Sequence, residues 1–301
     1  MQTYLPTLKQ LQYLVALAEH QHFGKAAEAC YVTQSTLSAG IRELESLLGI
    51  MLVERTRRVV RFTPLGDRIV AQAHRVLREA EELAELAAAA GTPLAGELRM
   101  SVIPTIAPFL LPALLPQLRK ERPELKLFLR EETSGSACDS LHHGMVDCVL
   151  LALPYACGDV DHAELFEDPL LLAVPGEDAA DYPARVVPGS IDPARLLLLE
   201  DGHCLKDHAL AACNRPDLRA GARMLGTSLH TLVQMVDNGL GVTMLPQMAV
   251  SAGLLRQTNI VTRALDTEHD SRTIALVWRR NSPREKEFRM LADILKAHWR
   301  V

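Results

Sequence analysis

The stretch VTQSTLSAGIRELESLLG, residues 32–49, decides the fold of the N-terminal part of the chain. Thr33 or Ser35 can cap a helix here, because a side-chain hydroxyl accepts a hydrogen bond from the unpaired amides of a first turn. Apolar residues then recur every three or four positions, and Gly49 can end the helix. The preceding KAAEAC, residues 25–30, favours another short helix. Two short helices joined by a tight turn predict a helix-turn-helix.

The sequence on either side of this motif extends it into a larger unit. LKQLQYLVALAEHQ, residues 8–21, has the apolar spacing of a helix. MLVERTRRVVRFTP, residues 51–64, alternates apolar and basic residues, which favours a small β-hairpin or wing. A helix of about 27 residues is predicted to begin at Pro64 and to end near Gly91. That length indicates a linker or a dimerising coiled pair.

Charge is distributed unevenly along the chain. The net charge of -5 argues against nucleic-acid binding by the whole molecule, whereas ERTRRVVR, residues 54–61, is locally basic. Short polar side chains also begin the second helix of the helix-turn-helix, the end that enters a major groove. Periodicity alone leaves open a chance pattern with a solvated arginine face. The residues predicted to contact DNA are Gln34, Ser35, Thr36, Ser38, Arg42, Arg55, Arg57 and Arg58.

From Gly96 onward, short apolar runs alternate with helical stretches. This alternation predicts an α/β domain built from βαβ units, long enough for two lobes of about 100 residues each. The runs of strand length are ELRMSVIPT (97–105), LKLFLREE (125–132), VDCVLLAL (146–153), LLLAVPG (170–176), LLLLED (196–201) and TIALVWRR (273–280).

Composition and cysteine usage exclude several classes of protein. The 301 residues are 48% hydrophobic, as is ordinary for a soluble globular protein. The first residues lack a signal-peptide core, and no apolar run reaches the roughly 18 residues of a membrane-spanning helix. We therefore expect a cytoplasmic protein without membrane contact. No cysteine–histidine cluster has zinc-ligand spacing, and we expect neither a metal nor a cofactor.

The stretch EDGHCLKDHALAAC, residues 200–213, holds two cysteines nine positions apart. A turn signal follows a strand here, which places Cys204 at the strand's C-terminal end beside His203 and Lys206, whose charges can lower a thiol pKa. The run to Cys213 favours a helix, in which nine residues separate two Cα atoms by about 13 to 14 Å. A disulfide needs roughly 4.4 to 6.8 Å. The pair therefore cannot bond without local unfolding, as a two-state redox switch requires. We interpret the other cysteines as small buried packing residues: Cys30, Cys138, Cys148 and Cys157.

The N-terminal motifs FGKAAE, TQSTLS, IRELE, LLG, ERTRR and TPLG resemble those of the LysR-type transcriptional regulators. Val53 departs from the family, which usually has Phe at that position. The resemblance implies a dimerising linker helix, assembly into a tetramer, and a small organic effector bound between two sensor lobes. The implied fold is an all-α winged helix-turn-helix DNA-binding domain and linker helix, joined to an α/β two-lobed regulatory domain like periplasmic binding proteins. The implied boundaries are 1–64 for the DNA-binding domain, 65–91 for the linker helix, 96–167 with 273–301 for the first lobe, and 168–272 for the second lobe with the redox cysteines.

The stretch LLLLEDGHCLKDHALAAC, residues 196–213, resembles the hydrogen-peroxide-sensing branch of that family. Residues 102–116, 227–246 and 272–279 agree with the same branch. The resemblance makes Cys204 the peroxidatic cysteine and Cys213 the resolving cysteine. Lys206 stands where that branch commonly has Arg, which removes a planar hydrogen-bonding fork. The peroxide pocket implied by the resemblance comprises Thr105, Thr133 or Ser134, His203, Asp207 and Arg272.

This branch also implies the partners of the protein. They are double-stranded DNA, hydrogen peroxide, RNA polymerase, thiol reductants such as glutaredoxin or thioredoxin, and further copies of the chain as a homodimer and homotetramer. Two alternatives remain open from the residues. One is a regulator with an organic effector and incidental cysteines. The other is a thiol peroxidase, which the DNA-binding module argues against; we therefore expect a regulator that is not an enzyme.

Overall fold

A computed structural model describes residues 5–55, 60–88, 93–213 and 225–298. The chain divides into two compact units, residues 1–91 with 142–145, and residues 92–141 with 146–301. No helix in the described ranges is long and apolar enough to cross a membrane.

The first unit begins with three helices, α1 (Leu8–His20), α2 (Phe23–Ala29) and α3 (Gln34–Leu48). Thr33 caps α3, since its hydroxyl accepts a hydrogen bond from the Thr36 amide, and Gly49 ends the helix with a left-handed φ of 68°. The predicted helix-turn-helix is therefore confirmed. Its core is built from the apolar stripes of all three helices, including Leu14, Leu17, Leu37, Ile41 and Leu44.

A hairpin and a long helix complete the first unit. Strands β1 (Val53–Arg55) and β2 (Val60–Phe62) pair antiparallel, and α4 (Pro64–Ala88) follows. The wing and the long helix were both predicted; the wing adds a two-stranded sheet to an otherwise helical unit. Gly66 is required in the first turn of α4, because a Cβ there would lie 2.2 Å from the Leu52 carbonyl oxygen.

The second unit is the predicted α/β domain. Its elements in chain order are β3 (Gly96–Val102), α5 (Ala107–Glu121), β4 (Leu125–Glu131), α6 (Ser134–His142), β5 (Cys148–Leu153), β6 (Val160–Pro175), β7 (Arg185–Val186), β8 (Leu198–Leu199), α7 (Cys204–Ala212), β9 (Leu225–Gly226), α8 (Leu229–Asp237), β10 (Thr243–Pro246), α9 (Gln247–Ser251), β11 (Ile260–Leu265), β12 (Ser271–Arg279) and α10 (Glu285–His298).

Strand β6 runs through both halves of this unit. The strand order is β4-β3-β5-β12-β6-β11-β7, and β10 also pairs with β6. Residues 160–169 of β6 pair with β12, whereas residues 170–175 pair with β10 and β11. In a separate parallel pair, β8 precedes α7 and β9 precedes α8. The apolar run LLLAVPG predicted only the second half of β6.

Two hydrophobic cores lie on either side of this change of partners. One is built from β3, β5, β12, α5 and α10, and the other from β6, β8, β10, α7 and α8. These cores support the two predicted lobes, although the exact boundaries stay a prediction. The two-core arrangement matters for the site because α7 contributes to both cores.

Candidate functional site

Helix α7 places the two predicted redox cysteines at its opposite ends. Gly202 makes the entry turn with a left-handed φ of 95°, His203 is the N-cap, and Cys204 is the first helical residue. Cys213 is the C-cap, and its amide donates to the Ala209 carbonyl oxygen. The helix was predicted and is confirmed. At ~1.5 Å per residue the two Cα atoms are about 13.5 Å apart, which is too far for a disulfide.

The cysteines also belong to different cores. Cys204 is 1% exposed and packs in the core of the first half, with β5 and β12. Cys213 is 4% exposed and packs in the core of the second half, with β8 and α8. Bringing the two sulfur atoms together therefore requires that α7 unwind and that at least one core be repacked.

The Cys204 thiol is held in a closed, mainly apolar environment. Its amide donates a hydrogen bond of 3.2 Å to the Ser134 hydroxyl. Burial raises the pKa of Cys204, and the positive charge of Arg272 opposes this, followed by hydrogen bonds with Ser134 and the backbone of Ala152. The Asp207 carboxylate acts in the same direction as burial. The thiol is therefore mostly protonated at neutral pH, and Arg272 is the cation that favours its thiolate.

Arg272 is fixed by a buried network of hydrogen bonds. Its Nε and Nη2 donate to Asp168 Oδ2 at 3.0 and 2.9 Å, and both side chains are almost fully buried. Its Nη1 donates to Thr105 Oγ1 at 2.8 Å, and its Nη2 to the Thr105 carbonyl oxygen at 3.0 Å. The other carboxylate oxygen of Asp168 accepts the Met248 amide at 2.9 Å. The structure thus joins Arg272 to Thr105 by a hydrogen bond and fixes the cation whose charge acts on Cys204.

Asp168 is a residue of this network that sequence reasoning missed. It faces Arg272 directly in the antiparallel register of β6 and β12. The two residues are 104 positions apart, so only the strand pairing reveals the contact. The pair lies where β6 changes partners from β12 to β10 and β11. The charge pair therefore fixes Arg272 at the junction of the two cores.

His208 is a second residue that the sequence did not assign to the site. It lies one helical turn beyond Cys204, and its Nε2 is 3.1 Å from the Pro154 carbonyl oxygen, to which it donates. Its Nδ1 is buried without a hydrogen-bond partner among the described residues. Burial lowers the pKa of His208 to about 4, with a further contribution from the charge of Arg272. The imidazole is therefore neutral at neutral pH. Its four-residue spacing from Cys204 was the only signal in the sequence.

The remaining residues predicted for the pocket take different places. Ser134 is buried against Cys204, whereas Thr133 is half-buried with its side chain near Gly202. His203 is buried, and burial lowers its pKa. Asp207 is half-buried on α7.

The prediction that Lys206 lowers the thiol pKa is wrong. The Lys206 ammonium is buried and donates to the Asp201 carboxylate at 2.8 Å. Its positive charge is therefore compensated locally. The cation acting on Cys204 is Arg272, which arrives from a distant strand. The neutral form of His203 cannot supply a positive charge either.

The interpretation of Cys138 and Cys157 as packing residues is also wrong. They form a disulfide with a Cα–Cα distance of 5.4 Å across 19 residues of sequence. The sequence could not reveal this pair, because the contact depends on how α6 packs against the loop after β5. Cys148 is a buried thiol in β5 as predicted, and Cys30 is half-buried against the core of the first unit.

Four of the residues predicted to contact DNA lie in the first two turns of α3, and Arg42 follows one turn later. Gln34, Ser35, Thr36 and Arg42 are exposed, and Ser38 is half-buried. The Thr33 hydroxyl lies 2.9 Å from the Ser35 hydroxyl and 2.8 Å from that of Thr36, which orders the first turn. Arg55 ends β1, while Arg57 and Arg58 lie outside the described residues.

Comparison with known protein families matches both parts of the chain. Residues 8–67 match the family described as "Bacterial regulatory helix-turn-helix protein, lysR family". Residues 91–300 match the family described as "LysR substrate binding domain".

Two similar relatives cover nearly the full length. The HTH-type transcriptional regulator EstR of Acinetobacter baylyi is 43% identical over 97% of this chain and 97% of its own. The hydrogen peroxide-inducible genes activator of Dickeya chrysanthemi is 39% identical over 98% of this chain and 96% of its own.

Two solved structures are similar in sequence and fold. A full-length OxyR variant from Pseudomonas aeruginosa is 37% identical, with a TM-score of 0.79 over 97% of this chain and 95% of that one. A hydrogen-peroxide-bound OxyR variant from Corynebacterium glutamicum is 31% identical, with a TM-score of 0.64 over 99% of this chain and 94% of that one. On the evidence of both its domains and these relatives, the chain belongs to the LysR family of transcriptional regulators.

Proposed function

We propose that the protein is a DNA-binding regulator of oxidative-stress genes that senses hydrogen peroxide by reversible formation of a Cys204–Cys213 disulfide. The observation that carries the proposal is the buried thiol at the start of α7, beside Arg272 and nine residues before a second thiol. The similarity to a hydrogen peroxide-inducible activator and to a peroxide-bound OxyR variant supports it.

The first step is attack of the Cys204 thiolate on one oxygen of the peroxide. The S–O bond forms as the O–O bond breaks, and the leaving hydroxide takes up the proton released by the thiol, which yields a sulfenic acid and water. Arg272 and the Thr105 hydroxyl, joined at 2.8 Å, supply a cation and a hydrogen-bonding group for the developing negative charge. Ser134, or Thr133 beside it, supplies a further hydroxyl, and His203 and Asp207 assist proton movement.

The second step joins the two ends of α7. The Cys213 sulfur attacks the Cys204 sulfenic acid, the S–S bond forms, and a second water leaves. Because the Cα atoms start about 13.5 Å apart and must reach roughly 4.4 to 6.8 Å, α7 cannot stay helical. The disulfide thus selects a second fold of this segment, and thiol–disulfide exchange with a reductant such as glutaredoxin or thioredoxin restores the first.

The refolded segment changes how the chain assembles on DNA. The exposed side chains Leu65, Val76 and Leu83 on α4 support dimerisation through this helix, and pairs of dimers give the tetramer. A change at α7 then alters the spacing of the helix-turn-helix modules on double-stranded DNA and the contact with RNA polymerase. Such a regulator acts in the cytoplasm, where its DNA is.

Peptide mapping after limited oxidation tests the proposal. Reduced full-length protein is treated with one equivalent of hydrogen peroxide, alkylated and digested. The expected new linkage joins Cys204 and Cys213; the Cys204→Ser variant forms none, and the Cys213→Ser variant accumulates Cys204 sulfenic acid. A dominant linkage of Cys204 or Cys213 to another cysteine, or a Cys213 linkage that persists in Cys204→Ser, would overturn the assignment; the Cys138–Cys157 disulfide is scored separately. DNA footprinting of both forms then shows whether the contacts change.

A second candidate function is a response to a small organic effector bound between the lobes. The match to a substrate binding domain and the similarity to EstR, whose name does not mention peroxide, favour it. A Cys204→Ser protein that changes its DNA contacts with a metabolite, but not with peroxide, would select this alternative.

A further inference from the structure

The Cys138–Cys157 disulfide lies in the same hydrophobic core as Cys204. Cys138 is on α6, and Cys157 is in the loop between β5 and β6. Both residues are buried, and their Cα atoms are 5.4 Å apart, within the range that a disulfide spans. Neither residue takes part in the proposed Cys204–Cys213 chemistry, so the pair needs its own explanation.

The α6 side of this disulfide is one turn away from a contact with α7. Ser134 begins α6, and its hydroxyl accepts the Cys204 amide at 3.2 Å. Cys138 lies four residues later, so it shares one face of α6 with Ser134. A movement of α6 at Cys138 therefore also moves the Ser134 hydroxyl, which accepts the hydrogen bond from the first residue of α7.

The loop side of the disulfide makes the other contact with α7. The Pro154 carbonyl oxygen, three residues before Cys157, accepts the His208 imidazole at 3.1 Å. The hydroxyl of Tyr155 in this loop lies 3.4 Å from the position of a Cβ on Gly135, so the loop also packs against the start of α6. Cys204 and His208 are four residues apart on one face of α7, and each contacts one of the two cross-linked segments.

We infer that Cys138 and Cys157 form a second redox site, whose disulfide clamps the two segments that hold α7 and thereby sets the reactivity of Cys204. The effect on Cys204 rests on the proposed peroxide chemistry, whereas the clamp itself does not. With the clamp closed, α7 stays docked and the groups around Cys204 stay in position. With the clamp open, α6 and the loop move independently, and α7 separates from them more often.

The clamp closes by exchange with a low-molecular-weight disulfide such as glutathione disulfide. One protein thiolate attacks this disulfide and releases one glutathione; the second protein thiolate attacks the mixed disulfide and releases another. Two protein thiols are oxidised, one glutathione disulfide is reduced to two glutathione molecules, and the two thiol protons leave with them. The reverse exchange opens the clamp. The ratio of reduced to oxidised glutathione at which the clamp opens therefore reports the stability of the Cys138–Cys157 disulfide.

The first test measures whether the pair exists and whether it is reversible. Full-length protein is equilibrated in buffers of increasing ratio of reduced to oxidised glutathione, alkylated, and mapped by mass spectrometry. The expected result is a Cys138–Cys157 linkage present while Cys204 and Cys213 are alkylated, lost at a defined ratio and regained on return. Complete alkylation of Cys138 and Cys157 at every ratio would overturn the inference, and so would a linkage that no ratio opens.

The second test compares two reactions of Cys204 in Cys138→Ala, Cys157→Ala and the double variant. Compared with the wild type whose Cys138–Cys157 disulfide is closed, we expect iodoacetamide to react with Cys204 roughly three- to tenfold faster. This factor corresponds to a loss of docking free energy of about one hydrogen bond. Sulfenic acid formation by peroxide is expected to slow by a similar factor, because Cys204 reacts with peroxide when α7 is docked. The double variant is expected to match either single variant, since each change removes the same bond.

Cys148→Ala is the matched control. It removes a buried thiol from β5 in the same core without removing a cross-link. If this control shifts both rates as the clamp variants do, or if the clamp variants leave the iodoacetamide rate unchanged, the clamp is refuted. If Cys204 of the wild type did not react with peroxide, the proposed function would be refuted instead. The glutathione titration and the iodoacetamide rates would still test the clamp.

Discussion

Cys204 and Cys213 lie at the two ends of one helix and pack in two different hydrophobic cores. A covalent bond between them is therefore incompatible with the fold that holds each one. In the proposed function this relationship would convert a two-electron oxidation into a structural change, because a helical α7 cannot hold the Cys204–Cys213 disulfide. The groups around Cys204 determine how readily the first step occurs.

Asp168 is expected to be a main support of the pocket through Arg272. In Asp168→Asn the Met248 amide keeps its acceptor, but the guanidinium loses its buried counter-charge. Removing one partner of a buried pair costs about 3 to 5 kcal/mol. Urea unfolding of the second unit in the full-length protein measures the loss in the free energy of unfolding.

The control for this change is Asp159→Asn. Asp159 pairs with Arg280 at 2.9 Å, but both side chains are more than half exposed. An exposed pair contributes at most about 1 kcal/mol, so little change is expected. Equal losses in the two variants would show that the Arg272–Asp168 pair has no special role in stability.

Ser134→Ala is expected to slow sulfenic acid formation at Cys204. The substitution removes the acceptor of the Cys204 amide and a hydroxyl that favours the thiolate. The loss of one hydrogen bond of about 0.5 to 1.5 kcal/mol corresponds to a slowing of roughly two- to tenfold. Stopped-flow oxidation of a Cys213→Ser background isolates this step.

Thr133→Ala serves as the neighbouring control for Ser134. Its side chain is half-buried near Gly202, and its hydroxyl makes no hydrogen bond with Cys204. The peroxide rate is expected to change less than twofold, which is within the ±0.5 kcal/mol of an ordinary substitution. A larger effect at Thr133 than at Ser134 would reverse the choice between the two hydroxyls.

His208 is expected to make the protein sensitive to acid. Its pKa is lowered to about 4 in the folded chain, whereas an unfolded histidine titrates near 6.5. The unfolded chain therefore binds the proton first, so the stabilising contribution is complete above about pH 6.5 and is lost as the pH falls toward 4. The lost free energy is roughly 3 kcal/mol over this window.

His208→Gln tests this dependence. The glutamine Nε2 can still donate to the Pro154 carbonyl oxygen, but the side chain does not titrate. The free energy of unfolding, measured in urea from pH 7 to pH 4, is expected to fall less steeply in the variant than in the wild type. Parallel curves for the two proteins would show that His208 does not couple protonation to stability.

Features that depend on local sequence could be predicted. The helix-turn-helix, the wing and α7 follow from capping residues, apolar spacing and turn signals within about 20 residues of each other. The first half of β6 was missed because residues 160–169 carry several acidic residues and lack a continuous apolar run.

Features that depend on tertiary pairing could not be predicted. Asp168 meets Arg272 only through the β6–β12 register, and Cys138 meets Cys157 only through the packing of α6. The same reason explains the error at Lys206: the sequence places this cation close to Cys204, but the fold pairs it with Asp201 and brings Arg272 instead. Proximity in sequence is a poor guide to which charge acts on a buried thiol.

The Cys204–Cys213 bond is expected to form only when α7 unwinds. Hydrogen–deuterium exchange of the α7 amides, measured by mass spectrometry before and after one equivalent of peroxide, tests it directly. Slow exchange is expected in the reduced protein and in peroxide-treated Cys213→Ser, and fast exchange in the oxidised wild type. An oxidised protein that carries the disulfide while its α7 amides stay protected would contradict the account.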